Sequence, residues 1–156
     1  VPLPKDPRPI IVLMADDDED DRLLAKDAFE ECGSGIHLHC VEDGQELMDY
    51  LHGRDRFADR SVYPLPGLIL LDLNMPRKDG REALSEIKAD PLLRRVPVIV
   101  FTTSKAEEDV MRSYDLGVSS FITKPLAYES LVRLMETLSS YWFEAVRLPD
   151  PERTGA

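Results

Sequence analysis

Cysteine is nearly absent from this chain: among 156 residues only Cys32 and Cys40 occur. Two thiols in a protein of this size do not make a disulfide framework, which fits a reducing cytoplasm. Long apolar runs are lacking too. The longest, residues 10–15 and 96–101, fall well short of the roughly 18 residues a membrane span needs. The start of the chain, Val-Pro-Leu-Pro-Lys-Asp-Pro-Arg-Pro, has no apolar core of a signal peptide. Basic charge is outweighed, with 19 Lys and Arg against 30 Asp and Glu and a net charge of −11. That balance argues against binding a phosphate backbone, because nucleic-acid binders usually carry a basic face. No internal repeat and no low-complexity segment is present. The expectation is a cytoplasmic protein with neither membrane nor nucleic acid as a partner.

What is present suits one globular domain with a genuine core: 43% of residues are hydrophobic and 31% charged. Residues 1–9, with four prolines, read as an extended lead-in. Residues 10–15, 68–72 and 96–102 are continuous apolar runs, the mark of strands buried on both faces. Residues 36–41 alternate and read as an edge or half-covered strand, and 119–123 as a short fifth strand. Helical spacing covers 18–31, stopped by Gly33 and Gly35, then 44–51, 81–89 and 105–116. Residues 52–66 form a long polar connection. Residues 126–147 are expected to form one long helix, and 148–156 a polar tail. Strand and helix alternate throughout, which predicts a parallel sheet with helices on both faces.

In such a sheet, chemistry gathers beyond the carboxyl ends of the strands. The first strand delivers Asp16 and Asp17, the third Asp72, the fourth Thr102, and the fifth is followed by Lys124-Pro125. Three anions at contact distance are costly, since each pair at about 4 Å repels by roughly 4 kcal/mol at an effective dielectric near 20. A hard divalent cation removes that cost. Mg²⁺ suits a site with few carboxylates that keeps waters and accepts phosphate oxygens. A carboxylate beside it can act as a nucleophile toward phosphorus. Lys124 then supplies positive charge and Thr102 a hydrogen bond, while the backbone carbonyl of Asn74 completes the metal shell.

This set, with Leu70-Leu71-Asp72-Leu73-Asn74-Met75-Pro76-Arg77-Lys78-Asp79-Gly80 at its centre, resembles the receiver domain of two-component response regulators. The likeness covers roughly residues 10–140. It implies a flavodoxin-like (βα)5 doubly wound fold, strand order 2-1-3-4-5, over residues 10–147. It also implies Mg²⁺ at Asp16 and Asp17, a phosphoacceptor at Asp72, a switch pair at Thr102 and Phe121, and a phosphoryl-binding Lys124. Asn74 and Ser104 fall where receivers tune dephosphorylation. The interval from Asp17 to Asp72 is longer than in minimal receivers, and the excess lies in the 52–66 connection. The segments 74–80, 102–108 and 140–143 look like the small receivers that partner bacterial and cyanobacterial phytochrome kinases. The implied function is a stand-alone regulator that takes a phosphoryl group from a histidine kinase and signals by protein contact. It would act on no substrate beyond its own phosphorylation and dephosphorylation.

Blander roles fit other residues. Asp18 suits an N-cap, and Asp20 and Asp21 suit a helix N-terminus. A calcium loop is not expected, because counted from Asp16 its glycine position holds Asp21. His37, His39 and Cys40 read as surface side chains. The last helix carries Leu131, Leu134, Met135, Leu138 and Trp142 on a core stripe. Tyr128, Val132, Tyr141, Phe143 and Val146 widen it, which suggests a second partner surface. Receivers commonly form two-fold dimers through the fourth helix, fifth strand and fifth helix, and a homodimer is expected there. Two other functions share the pattern. A Mg²⁺-dependent aspartyl phosphatase normally wants an acid where Asn74 stands, and a flavodoxin-like cofactor module wants a phosphate cradle where the first loop is acidic.

Overall fold

The structure, a computed structural model, describes residues 9–31 and 35–150. Its strands are β1 (Ile10–Ala15), β2 (Ile36–Val41), β3 (Leu68–Leu71), β4 (Val98–Thr102) and β5 (Ser120–Thr123). Its helices are α1 (Glu19–Glu31), α2 (Gly44–His52), α3 (Gly80–Ala89), α4 (Glu107–Leu116) and α5 (Tyr128–Ser139). The strands form one parallel sheet in the order β2-β1-β3-β4-β5. This is the expected doubly wound fold, and it sets β3 in the middle.

The apolar runs are continuous because each central strand feeds two cores. Leu13, Ala15, Ile69, Leu71, Val98 and Val100 face one side, where α2 and α3 add Leu47, Leu51, Leu84 and Ile87. Val12, Met14, Leu68, Leu70, Ile99 and Phe101 face the other, against Leu24 and Phe29 of α1 and Leu131, Met135 and Leu138 of α5. Alternate residues of a strand point to opposite faces, so both sets must be apolar.

Several boundaries differ from expectation. The last helix does not run as one α-helix over 126–147. It is α-helical only to Ser139, and Ser140–Ala145 continue as a π-helical turn. The wider turn lets Phe143 meet Phe29 edge-on at 5.4 Å. Val132 and Phe143 therefore pack against the α1/α5 core rather than widening a free face. Leu148 packs there too, so the tail begins apolar. The strand expected from residue 96 starts at Val98, after Pro97, and α4 begins at Glu107 rather than at 105. Gly33, residues 1–8 and residues 151–156 lie outside the described residues.

The 52–66 connection is more built than a polar loop. Tyr50, Phe57 and Tyr63 form an aromatic cluster with ring centroids 5.1–5.8 Å apart. Arg60 donates to the carbonyls of Tyr50, Leu51 and Tyr63, closing the C-terminus of α2. His39 is not a free surface side chain: its ring lies 5.8 Å from Tyr50 and 6.1 Å from Tyr63. Burial there, with His37 beside it, lowers the His39 pKa.

Candidate functional site

The parallel register places Ala15 opposite Leu71, so the residues that follow both strands emerge side by side. The Asp72 amide donates to the Ala15 carbonyl at 2.9 Å, and the Asp16 amide to the Val41 carbonyl at 3.0 Å. Asp16 and Asp72 are buried and Asp17 is exposed. Among the described residues, Asp16, Asp17 and Asp72 can each point one oxygen into a space where all three lie within 4.8 Å of one another. Their donor set is all oxygen, as a hard divalent cation requires. Oδ2 of Asp16 is buried, and the Lys124 ammonium lies 2.7 Å from it, so positive charge already occupies part of this space.

Lys124 reaches this space from the end of β5. Its amide is tied to the Thr102 carbonyl at 2.7 Å. Its Nζ lies 2.7 Å from Asp16, 2.8 Å from Asp21 and 3.4 Å from Asp72. Burial alone would lower the lysine pKa, but Asp16, Asp21 and Asp72 outweigh it and hold the ammonium above its ordinary value. Burial also dominates at Asp16, pushing its pKa up to about 6 against the pull of Lys124. Asp21 had been legible only as a helix-start residue. Its place five residues beyond Asp16, on the first turn of α1, is what lets it face Lys124.

The loop after Asp72 is fixed by close backbone approach. A Cβ on Gly80 would sit 2.1 Å from the Asp72 carbonyl oxygen, and one on Gly44 2.1 Å from the Lys78 oxygen. Between them Arg77 adopts a left-handed φ of 63° and pairs with Asp43 at 3.3 Å. Asp79 caps α3 by accepting from the Arg81 amide at 2.7 Å. The Asn74 amide donates to Oδ1 of Asp72 at 3.1 Å, and its side-chain Nδ2 donates to the hydroxyls of Thr102 and Thr103, both at 3.4 Å.

Thr102 is fully buried at the end of β4. Ser104 donates its hydroxyl to Asp109 at 2.6 Å. Asp109 in turn accepts a two-pronged pair from Arg81 at 2.6 and 2.7 Å. The Arg81 hydrogen bonds, aided by Ser104, hold the Asp109 pKa down at about 2. This Arg81–Asp109 clamp joins residues 28 apart, and no local pattern in the sequence announced it. Phe121 is half-buried against the α2/α3 core, and its amide donates to the Tyr114 hydroxyl at 3.2 Å.

Comparison with known proteins agrees with this geometry. The family model of the response regulator receiver domain matches residues 12–136. The response regulator Rcp1 of Synechocystis is 38% identical over 90% of this chain and 94% of its own. A probable methanogenesis regulatory protein, FilR2 of Methanothrix harundinacea, is 38% identical over 92% of this chain and 90% of its own. The Mn²⁺-bound structure of Rcp1 superposes with a TM-score of 0.86 at 38% identity, covering 91% of this chain and 100% of that one. The phosphorylated cyanobacterial phytochrome response regulator RcpA gives a TM-score of 0.84 at 38% identity, covering 91% and 99%. The chain belongs to the response regulator receiver family.

Proposed function

We propose that this receiver accepts a phosphoryl group on Asp72 from a sensor histidine kinase of the phytochrome type. The observation that carries this is the setting of Asp72. It is a buried carboxylate beyond the central strand, with the oxygens of Asp16 and Asp17 and the ammonium of Lys124 around it. An oxygen of Asp72 attacks phosphorus as the bond to the donor imidazole nitrogen breaks, and that nitrogen keeps the electron pair. Lys124 and the Thr102 hydroxyl then receive the phosphoryl oxygens, and Phe121 follows Thr102. Asp16, Asp17, Asp72 and the Asn74 carbonyl would hold Mg²⁺, which when bound supplies positive charge to the phosphoryl oxygens. Asn74 and Ser104 tune how long the group stays. The bound Mn²⁺ of Rcp1 and the phosphorylated state of RcpA, a phytochrome response regulator, support this reading.

The output is protein contact within the cytoplasm. Met111 and Tyr114 of α4, with Leu126 and Tyr128 at the start of α5, are exposed large apolar side chains, and they suit a homodimer across α4, β5 and α5. The test is incubation with acetyl phosphate and Mg²⁺, followed by intact mass and oligomer size, beside Asp72→Asn. The wild type is expected to gain one phosphoryl mass and the variant none. A wild type that gains no mass refutes the proposal.

A further inference from the structure

We infer that Arg81 is a positioning residue that lengthens the life of the phosphorylated state by occupying the carboxamide oxygen of Asn74. This rests on the phosphoacceptor reading of Asp72 given above.

Asn74 is an exposed, neutral side chain two residues beyond Asp72. Its amide already donates to Oδ1 of Asp72 at 3.1 Å, and its side chain bridges to Thr102. Which end of the carboxamide faces which partner follows from hydrogen-bond chemistry. Nη1 and Nη2 of Arg81 both lie 3.4 Å from the Asn74 oxygen. A guanidinium has only donors, so the oxygen must face it. The NH₂ end is thereby turned to the hydroxyls of Thr102 and Thr103. These contacts are long, and Arg81 does not depend on them for its own position. Asp109 grips it at 2.6 and 2.7 Å, and Asp79 adds a contact at 3.1 Å. The guanidinium is therefore pinned by carboxylates and presented to Asn74 as a fixed double donor.

Hydrolysis needs a water whose oxygen bonds to phosphorus as the bond from phosphorus to the Asp72 oxygen breaks. Asp72 leaves as a carboxylate, and both water protons end on the phosphate. An acceptor that takes a hydrogen bond from that water speeds its approach. The Asn74 oxygen is such an acceptor, and Arg81 engages it. Ser104, on the loop after β4, is engaged as well, since Asp109 accepts a hydrogen bond from its hydroxyl at 2.6 Å. One clamp thus ties down a polar side chain on each of two loops.

The experiment is the half-life of the phosphorylated protein. It is loaded with acetyl phosphate and Mg²⁺, desalted, and followed by intact mass. Arg81→Ala is expected to shorten the half-life by about fivefold, the size of one net hydrogen bond. Arg81→Lys keeps a donor at this position and is expected to restore part of the lifetime. In an Asn74→Ala background, Arg81→Ala should change nothing. An unaltered half-life in both Arg81 variants overturns the inference. So does an equal shortening with and without Asn74, because the effect would then be general loosening. Should Arg81→Ala not fold, Arg81→Met keeps the length of the side chain without its donors and carries the same expectations. A wild type that takes up no phosphoryl group refutes the phosphoacceptor reading itself, an outcome distinct from both.

Discussion

The two halves of the site are held by different kinds of interaction. The acid half, at the ends of β1 and β3, rests on main chain: the amides of Asp16 and Asp72 donate to the carbonyls of Val41 and Ala15 on neighbouring strands, and the Gly80 backbone lies directly against the Asp72 carbonyl. The responding half, from Thr102 to Asp109, rests on side chains. Thr102, Ser104, Asn74, Arg81 and Asp109 are joined by hydrogen bonds that can be exchanged for others. Main-chain packing moves only with the fold, whereas polar side-chain contacts can be traded at modest cost. The switching proposed for Asp72 would need one part that stays and one that shifts, and this division fits that need.

The largest expected effect tests whether the acid half is organised around positive charge. Lys124 is the cation shared by Asp16, Asp21 and Asp72. Lys124→Met leaves buried carboxylates uncompensated, which costs about 3–5 kcal/mol when one partner of a buried pair is removed. Chemical denaturation at pH 8 without metal should show that loss. Saturating Mg²⁺ should recover most of it, because a ligand bound only to the folded state stabilises by about 2.7 kcal/mol at a hundredfold excess over Kd. Equal losses with and without Mg²⁺ would mean that lysine and metal do not serve the same carboxylates.

A smaller effect separates main chain from side chain directly. Gly80→Ala forces a Cβ to within 2.1 Å of the Asp72 oxygen and 2.7 Å of the Leu73 Cα, both backbone atoms. The expected loss is about 3 kcal/mol, a fall in Tm of roughly 6–12 °C. Gly35→Ala, with nothing within 4 Å of its Cβ, should stay within about 0.5 kcal/mol of wild type. Ser104→Ala, in the responding half, removes the hydroxyl's contacts with Asp109 and with the Ala106 amide and should cost about 1–2 kcal/mol. If Ser104→Ala proved the more damaging, the assignment of rigid and exchangeable halves would be reversed.

The same division explains what the sequence could disclose. Strands buried on both faces announce themselves as unbroken apolar runs, and a parallel sheet then brings their carboxyl ends together. Those runs alone place Asp16, Asp17, Asp72, Thr102 and Lys124 at one edge. Contacts between side chains of different helices follow no period. Arg81 of α3 meets Asp109 of α4, and Asp21 of α1 meets Lys124 just beyond β5, across elements far apart in the sequence. The π-helical turn after Ser139 was hidden for a related reason. No proline or glycine stops the helix there; the packing of Phe143 on Phe29 accompanies the change. The 52–66 connection looked polar because its ordering residues, Phe57, Arg60 and Tyr63, are scattered among charged ones.

The finest contrast between the halves is electrostatic. Asp16 and Asp109 are the same residue type, shifted in opposite directions. Burial raises Asp16 to about 6, and the Arg81 and Ser104 hydrogen bonds lower Asp109 to about 2. Between about pH 4 and 6 the folded protein holds a proton on Asp16 that the unfolded chain has released, so this group's contribution to stability falls as pH rises through that window. At Asp109 the unfolded chain binds the proton first. Its contribution is complete above the ordinary carboxylate range and is lost as pH falls toward 2. Denaturation of the metal-free protein across pH 2–8 should therefore show one limb from each half. Mg²⁺ selects the deprotonated form of Asp16 and should flatten the upper limb alone. Asp109→Asn should flatten the lower limb alone. A single substitution or ion that moved both limbs together would show the two halves to be one coupled unit.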